Sequence, residues 1–275
     1  MHTRVLRRSL LALTGAASIS GLIIFLGLIA PARAGAFDLV QEKNTVVAVG
    51  PGAGITHILL INPNTSQATT DMMVRIAQSA ASNNVKIIGA TAPQGPSMIV
   101  DPTALAASAP QVVEIGVARA KDVSGIIISA FGDPGIGDLR RAVSVPVVGI
   151  AEAAMLVASA NGRRFGVATT TPGLVASIDA RAAELGLARL YSGTRLTSGD
   201  PLKLAAEPDR LVEALRQAVS ACIELDKAEA VIIGGGPLGN AATALTPMFS
   251  IPVIAPIPEA VHRIMGIPGL VRRYP

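Results

Sequence analysis

From residue 57 onward, short apolar runs alternate with longer segments in which apolar residues recur at helical spacing. Uninterrupted runs of Val, Ile and Leu are typical of strands buried on both faces of a parallel sheet. They predict eight strands, over residues 57–62, 85–90, 125–130, 146–150, 164–169, 189–195, 230–235 and 252–256. The clearest helical patterns cover residues 69–81, 109–120, 172–185 and 209–225. Strand–helix alternation of this kind predicts an α/β fold.

The order of these segments is repeated within the chain. A strand at 125–130 is followed by a second strand that opens with Pro146-Val147 and closes with Glu152-Ala153. About 105 residues later a similar strand is followed by one that opens with Pro252-Val253 and closes with Glu259-Ala260. One alternative is that buried strands resemble one another in general. The matching Pro-Val and Glu-Ala pairs favour an internal duplication.

We therefore predict two pseudosymmetric, flavodoxin-like parallel-sheet halves with a cleft between them. The first half comprises residues 57–150 and a C-terminal segment, 257–275, that returns to pack on it. The second half comprises residues 151–256, and a short crossover near 151–163 joins the two. Residues 35–56 contain many Gly, Pro and small residues and are predicted to form a linker.

The predicted site lies where strands end, because open parallel sheets bind ligands outside the carboxyl ends of their strands. Two facing halves would place segments 62–66, 129–135, 169–173 and 234–240 around one cleft. The ligand-binding candidates are Asn62, Asn64, Thr65, Ser66, Phe131, Gly132, Thr169, Thr170, Thr171, Gly236 and Pro237. Helix N-termini with free N–H groups and nearby hydroxyls are suited to a carboxylate or an imide.

These residues also have structural alternatives. Asn64, Thr65 and Ser66 are good N-cap residues, and the glycine-rich segment 234–239 is compatible with a tight turn. Asp133 precedes a proline and is either a turn former or a group for polar contact and proton transfer at the mouth of the cleft. Glu152 could reach the same space or compensate a helix N-terminus.

Composition excludes several classes of function. The aromatic content is only 3%, Trp is absent, and removal of residues 1–34 leaves 19 basic and 19 acidic residues, so nothing predicts nucleic-acid binding. Segment 234–239 lacks the spacing of a nucleotide-binding loop.

None of the histidines (His2, His57, His262) falls on a cleft segment, which excludes a hydrolytic triad and a zinc site. The single cysteine, Cys222, is predicted to be a core residue. Neither a metal nor another cofactor is expected.

Residues 1–34 have the layout of a secretory signal. Arg4, Arg7 and Arg8 precede an uncharged apolar stretch over 9–30, and the small-residue motif Ala32-Arg33-Ala34 follows. A periplasmic or secreted protein is the first expectation. The apolar stretch is also long enough to span a bilayer, so a retained inner-membrane anchor is the alternative. A third interpretation is an upstream extension from a misassigned start codon.

Four motifs in order carry a family resemblance. Residues 61–66 (Ile-Asn-Pro-Asn-Thr-Ser), 131–135 (Phe-Gly-Asp-Pro-Gly), 146–154 and 164–170 resemble hydantoin and allantoin racemases of the aspartate/glutamate/hydantoin racemase superfamily. The resemblance extends from about residue 57 to about residue 264. It implies a racemase or isomerase fold with a small-molecule substrate, and it leaves homo-oligomer formation open.

The resemblance also implies a pair of catalytic cysteines, one from each half, which exchange a proton at an acidic carbon from opposite faces. Ala130 and Gly235 occupy those two positions. Neither side chain can transfer a proton. The catalytic candidates that remain are Ser129, Asp133 and Thr170. Three alternatives follow: another reaction on a related substrate, a non-catalytic periplasmic protein that binds a small carboxylate or hydantoin-like ligand, or a degenerate gene product.

Overall fold

A computed structural model describes residues 55–268 and 270 of the 275-residue chain. The predicted signal or anchor and nearly all of the predicted linker lie outside these residues. Among the residues that are described, no helix is long and apolar enough to cross a membrane.

All eight predicted strands are present. Their bounds are Thr56–Asn62 (β1), Val85–Thr91 (β2), Gly125–Ile128 (β3), Val147–Gly149 (β4), Phe165–Thr169 (β5), Tyr191–Leu196 (β6), Ala230–Ile233 (β7) and Val253–Ile254 (β8). The α-helices are Gln67–Ala80 (α1), Pro102–Arg119 (α2), Ile136–Ala142 (α3), Ile150–Ala158 (α4), Val175–Glu184 (α5), Pro201–Ala206 (α6), Pro208–Glu224 (α7), Gly239–Leu245 (α8) and Pro256–Met265 (α9). Short 3₁₀ turns at Pro172–Leu174 and Gly236–Leu238 precede α5 and α8.

Two elements differ from the sequence prediction. Helix α2 begins at Pro102, well before residue 109, because Asp101 caps it by accepting from the Ala104 N–H at 2.8 Å. Proline is well suited to the first turn of a helix. The predicted crossover at 151–163 is largely helical, since α4 covers most of it.

The strands form two four-stranded parallel sheets with equivalent orders, β2-β1-β3-β4 and β6-β5-β7-β8. An internal duplication predicts this equivalence. In the first sheet Ile61 of β1 pairs with Ile128 of β3, and in the second Ala168 of β5 pairs with Ile233 of β7. The carboxyl ends of the two central strands therefore lie level in each sheet, and both positions are followed by segments predicted to bind a ligand.

One hydrophobic core joins the two sheets. Strand residues such as Ile127 and Ile232 belong to the same buried cluster as residues of α1, α4, α5 and α9. Separate clusters cover the other faces, with α2 and α3 on the first sheet and α7 and α8 on the second. Replacing one isoleucine in such a core by alanine lowers the free energy of unfolding by about 2–5 kcal/mol. Because residues of both sheets belong to this core, their packing holds the two sheets together.

The two helices that follow the last strand of each sheet pack on the opposite sheet. Helix α4, after β4, contacts β7, while α9, after β8, contacts β3 and β4; the two helices also pack on each other. Gly125 of β3 shows how closely α9 approaches, because a β-carbon there would lie 2.6 Å from Ile264 Cδ1.

Cys222 lies in α7 with a fully buried side chain, next to β5. Burial raises the pKa of its thiol to about 12. The folded protein should therefore retain the thiol proton at a pH near 9.5, where the unfolded chain has largely lost it. Because the folded state then binds more protons, the free energy of unfolding should fall as pH rises above about 9.

We expect Cys222 in the native protein to resist a thiol reagent such as Ellman's reagent, and to react fully in guanidinium chloride. Since the chain has a single cysteine, absorbance gives the labelled fraction directly. Rapid labelling of the native protein at pH 8 would contradict the buried position of the thiol.

Candidate functional site

A cavity of about 410 Å³ lies at the carboxyl ends of β1, β3, β5 and β7. All four segments predicted from the sequence contribute to its wall. The predicted residues that line it are Asn62, Asn64, Ser129, Phe131, Thr170, Thr171, Gly236 and Pro237, together with Ala130 and Gly235. Ala130 and Gly235 are partly exposed, whereas their neighbours Ser129 and Gly236 are buried.

Other candidates lie outside this cavity and have local structural roles. The side chain of Ser66 caps α1 by accepting from the Thr69 N–H at 3.2 Å. Thr65 donates its N–H to the Pro96 carbonyl at 3.1 Å. Gly132 has a positive φ of 150° in a turn that lies against Leu105 of α2. Thr169 donates its hydroxyl to the Gly234 carbonyl at 2.6 Å.

Asn62 and Asn64 form a buried amide network after β1. The Asn62 Nδ2 group donates to Asn64 Oδ1 at 2.8 Å and to Thr70 Oγ1 at 2.9 Å. Asn64 Oδ1 also accepts from the Ser66 N–H at 2.9 Å. These bonds use donors that the sequence analysis assigned to a ligand. The network therefore fixes the loop and leaves fewer backbone donors for an anion at the start of α1.

The two halves approach each other closely at Ser129 and Gly236. Ser129 donates its hydroxyl to the Met73 sulfur at 3.0 Å. A β-carbon on Gly236 would lie 2.8 Å from that sulfur and 3.3 Å from Ser129 Oγ. Only glycine allows this approach without a shift of Met73 or Ser129.

Asp133, predicted at the mouth of the cleft, is instead turned away from the cavity and towards the start of α4. Its fully buried carboxylate accepts from the N–H groups of Ala151 and Glu152 at 2.9 and 2.8 Å. It also accepts from Arg181 Nε at 3.1 Å. The left-handed backbone of Asp133, with φ of 50°, directs the side chain there. Asp133 thus links the cavity loop to α4 and α5.

Glu152 extends the same charged cluster. Its carboxylate contacts Arg181 at 3.1 Å and Arg140 at 2.9 Å, and Arg263 of α9 lies 3.8 Å away. Burial raises the pKa of Asp133 to about 6, against the lowering effect of Arg181 and the two backbone N–H groups. Arg181 is accordingly the main group that keeps this carboxyl ionised near neutral pH.

Gly149 provides a test of the Asp133 geometry. A β-carbon at Gly149 would overlap the Asp133 carboxylate. We expect Gly149→Ala to lower the free energy of unfolding by about 1–3 kcal/mol, because the carboxylate must leave the α4 N-terminus. In Gly137→Ala of α3, the new β-carbon meets nothing closer than Arg141 Nη1 at 3.6 Å. This control should be neutral or slightly stabilising in urea denaturation; equal effects of the two substitutions would contradict the proposed geometry.

Most of the cavity's apolar wall consists of residues that the sequence pattern did not mark as part of a site. It is built by Met72 and Met73 of α1, Met98 and Ile99, Leu105 of α2, Leu174, Ile178 of α5, Pro201 and Ala205 of α6, and Pro208, Leu211 and Val212 of α7. Asp209 is the one charged residue among those described as lining the cavity, and it is exposed. The described residues contain no group of three His, Cys, Asp or Glu side chains placed to hold a metal ion.

Comparison with known proteins identifies the family. The Asp/Glu/Hydantoin racemase family model matches residues 58–264. The hydantoin racemase of Pseudomonas sp. (strain NS671) is 31% identical over 198 residues, which cover 72% of this chain and 80% of that protein. The hydantoin racemase of Rhizobium meliloti is 29% identical over 214 residues, covering 78% and 89%. The chain belongs to the Asp/Glu/hydantoin racemase family, as its motifs predicted.

Solved structures agree with this assignment. Allantoin racemase from Klebsiella pneumoniae matches with a TM-score of 0.72 and 28% identity, covering 76% of this chain and 86% of its own. Unliganded arylmalonate decarboxylase, at 18% identity and a TM-score of 0.55, covers 80% and 94% and shares the fold. Within the family, the chain is thus similar to hydantoin and allantoin racemases.

Proposed function

We propose that the cavity binds a small, neutral, hydantoin-like ligand, and that the protein does not racemise this ligand by two-thiol proton transfer. The observation that carries the proposal is the position of Ala130 and Gly235. Both line the cavity, one from each half, where the family resemblance places the catalytic cysteines. An alanine methyl group and a glycine hydrogen cannot exchange protons at neutral pH.

Cys222 cannot replace the missing pair. It lies in α7 behind β5, with its sulfur 3.8 Å from the Val167 carbonyl, and it does not line the cavity. Burial holds its pKa far above neutrality, so it supplies no thiolate.

The electrostatics of the cavity favour a neutral ligand. Among the described lining residues there is no Lys, Arg or His to pair with a carboxylate. A carboxylate buried without a cation or several donors is strongly disfavoured. The Nδ2 group of Asn64, which the Asn62 network does not use, and the hydroxyls of Thr170 and Thr171 suit the alternating C=O and N–H groups of a cyclic diamide ring. The similarity to hydantoin racemases points to the same ring.

Calorimetry with a matched ligand pair tests this proposal. 5-Benzylhydantoin and its ring-opened form, N-carbamoylphenylalanine, share a substituent but differ in charge. We expect the hydantoin to bind in the micromolar to millimolar range and the carboxylate to bind at least ten-fold more weakly. Thr170→Val should weaken hydantoin binding several-fold. Thr65→Val, outside the cavity, should not change it. Tighter binding of the ring-opened acid would contradict a neutral ligand.

A second candidate is catalysis of a different reaction on a related substrate. Ser129 favours it, because its hydroxyl lies in the cavity wall and donates only to a weak acceptor, the Met73 thioether. Turnover of substituted malonates or hydantoins that is lost in Ser129→Ala would support this candidate. Stabilisation by the hydantoin without turnover of any substrate would support a binding protein, consistent with the export that we propose from residues 1–34.

A further inference from the structure

The ion pair between Asp133 and Arg181 lies directly behind the cavity, and the proposed function leaves it unused. Asp133 belongs to the cavity loop, residues 129–135, whose first part, residues 129–131, lines the cavity. Resting on the proposed function, we infer that Asp133 and Arg181 are positioning residues that couple ligand binding to a proton. The ionised pair holds two parts of the cavity wall together, and protonation of Asp133 lowers the affinity for the ligand.

The pair connects the two halves of the cavity wall. Arg181 Nε donates to Asp133 Oδ2 at 3.1 Å. Residues three apart on a helix are neighbours on its surface, so Ile178, which lines the cavity, lies one turn from Arg181 on the same side of α5. The pair thus joins residues 129–131 of the first half to Ile178 of the second. A ligand that contacts both parts of the wall needs the separation that this pair sets.

Both oxygens of the Asp133 carboxylate act as acceptors. Oδ1 accepts from the Ala151 N–H at 2.9 Å, and Oδ2 accepts from the Glu152 N–H at 2.8 Å as well as from Arg181. A protonated carboxyl group has an O–H to donate, but these three partners are themselves donors. Protonation therefore displaces at least one of them from the carboxyl group.

Arg181 is the partner that can leave, because it has other acceptors. Its Nη2 donates to Glu152 Oε2 at 3.1 Å, and its Nη1 donates to Glu184 Oε2 at 3.0 Å. Arg181 therefore keeps two carboxylate partners when Asp133 becomes neutral. The pair has two arrangements: Arg181 is shared between Asp133 and the glutamates, or it is held by the glutamates alone. A local change of charge that selects between two such arrangements is the usual basis of a protonation switch.

The remaining charged groups around the pair come from α3 and α9. Arg140 and Arg263 contact Glu152 at 2.9 and 3.8 Å, so Glu152 stays compensated in both arrangements. Arg141 and Asp138 pair with each other and line a second cavity, of about 480 Å³, together with Asp133, Arg181 and Glu184. This second cavity borders the other part of the cavity loop, and it gives protons a route to the buried carboxylate.

The pH range of the effect follows from the surroundings of Asp133. Burial raises the pKa of this carboxyl group to about 6. If the ligand binds only the ionised form, the apparent affinity falls with the ionised fraction, by about ten-fold one pH unit below that pKa. Unfolding does not explain such a loss. The pKa lies above the ordinary value of an unfolded chain, so the contribution of Asp133 to the free energy of unfolding increases as the pH falls through 6.

Calorimetry of the wild-type protein with 5-benzylhydantoin measures both the affinity and the proton. We expect an affinity about ten-fold lower at pH 5 than at pH 7.5. Titrations at pH 5.5 in two buffers of different ionisation enthalpy should show release of roughly half a proton or more for each ligand bound. At pH 7.5, where Asp133 is already ionised, no proton should be released.

Two matched variants assign the proton to Asp133. Asp133→Asn carries no charge at any pH, so it should bind at pH 7.5 about as weakly as the wild type binds at pH 5, and without proton release. Asp138→Asn removes an exposed carboxylate of α3 and should keep the wild-type pH dependence. Asp209 also lines the cavity. A pH dependence that persists in Asp133→Asn and disappears in Asp209→Asn would overturn the inference.

The outcomes separate this inference from the proposed function. If 5-benzylhydantoin binds the wild-type protein equally at pH 5 and pH 7.5, or binds at pH 5.5 without releasing a proton, the coupling is wrong while ring recognition stands. The wild-type titrations decide this even if Asp133→Asn does not fold. If the hydantoin binds the folded protein at neither pH, the proposed function fails and this inference fails with it.

Discussion

The double substitution Ala130→Cys, Gly235→Cys is expected to create proton exchange at the acidic ring carbon of bound 5-benzylhydantoin. Both positions line the cavity from opposite halves. The backbone at Gly235 is extended, with φ of 165° and ψ of 130°, and accepts any residue. A β-carbon there would lie 3.0 Å from Leu238 Cδ1, the end of a flexible side chain that can move aside. Gly235 can therefore carry a side chain at the cavity wall, as Ala130 already does.

Exchange is measured by NMR, as loss of the ring C–H signal of (S)-5-benzylhydantoin in D₂O near pH 7.5. Positioned acid–base groups typically contribute about 10²–10⁴-fold, so the exchange rate with the double variant should exceed that with the wild-type protein by a factor in this range. Each single variant should show much less inversion of configuration, because one face of the carbon then lacks a proton carrier. A folded double variant that binds the ligand and shows no exchange would place residues 130 and 235 away from the reacting carbon.

Arg181→Met is expected to destabilise the protein by about 3–5 kcal/mol. The Arg181 side chain is only 11% exposed and contacts three carboxylates, of which two are buried, Asp133 at 0% and Glu152 at 8% exposure, and the third, Glu184, is exposed. Without Arg181 the pKa of Asp133 should rise further above its ordinary value. The folded variant then retains a proton that the unfolded chain loses, so its stability should fall more steeply than that of the wild type from about pH 5 to pH 8.

Guanidinium denaturation at both pH values measures this effect. Arg216→Met is the matched control, because Arg216 pairs with Glu213 at 2.7 Å on the exposed face of α7. Its loss should cost no more than about 1 kcal/mol. Equal effects of the two substitutions would show that the Arg181 cluster does not stabilise the fold.

The strands could be predicted because their signal is local. A run such as Gly125–Ile128 is buried on both sides and has no polar interruption, so its hydrophobicity alone marks it. The cavity loops followed from a general rule, since parallel strands bring ligands to their carboxyl ends. That rule placed Asn62, Ser129 and Thr170 at one site although they are far apart in the sequence.

The role of Asp133 could not be predicted in this way. Its direction depends on a left-handed backbone angle and on Arg181, which lies in the other half of the chain. The apolar wall escaped notice for a different reason. Leu211 and Val212 fit the amphipathic pattern of α7, and a helix pattern does not show which apolar residues face the core and which face a cavity.

The most direct test of the central claim is ring-proton exchange by the wild-type protein in D₂O at a concentration of 5-benzylhydantoin that saturates binding. We predict saturable binding by calorimetry with exchange no faster than in buffer alone. Exchange well above the buffer rate that is abolished by competing hydantoin would contradict the account, because it would show proton transfer in a cavity with no cysteine among its described lining residues.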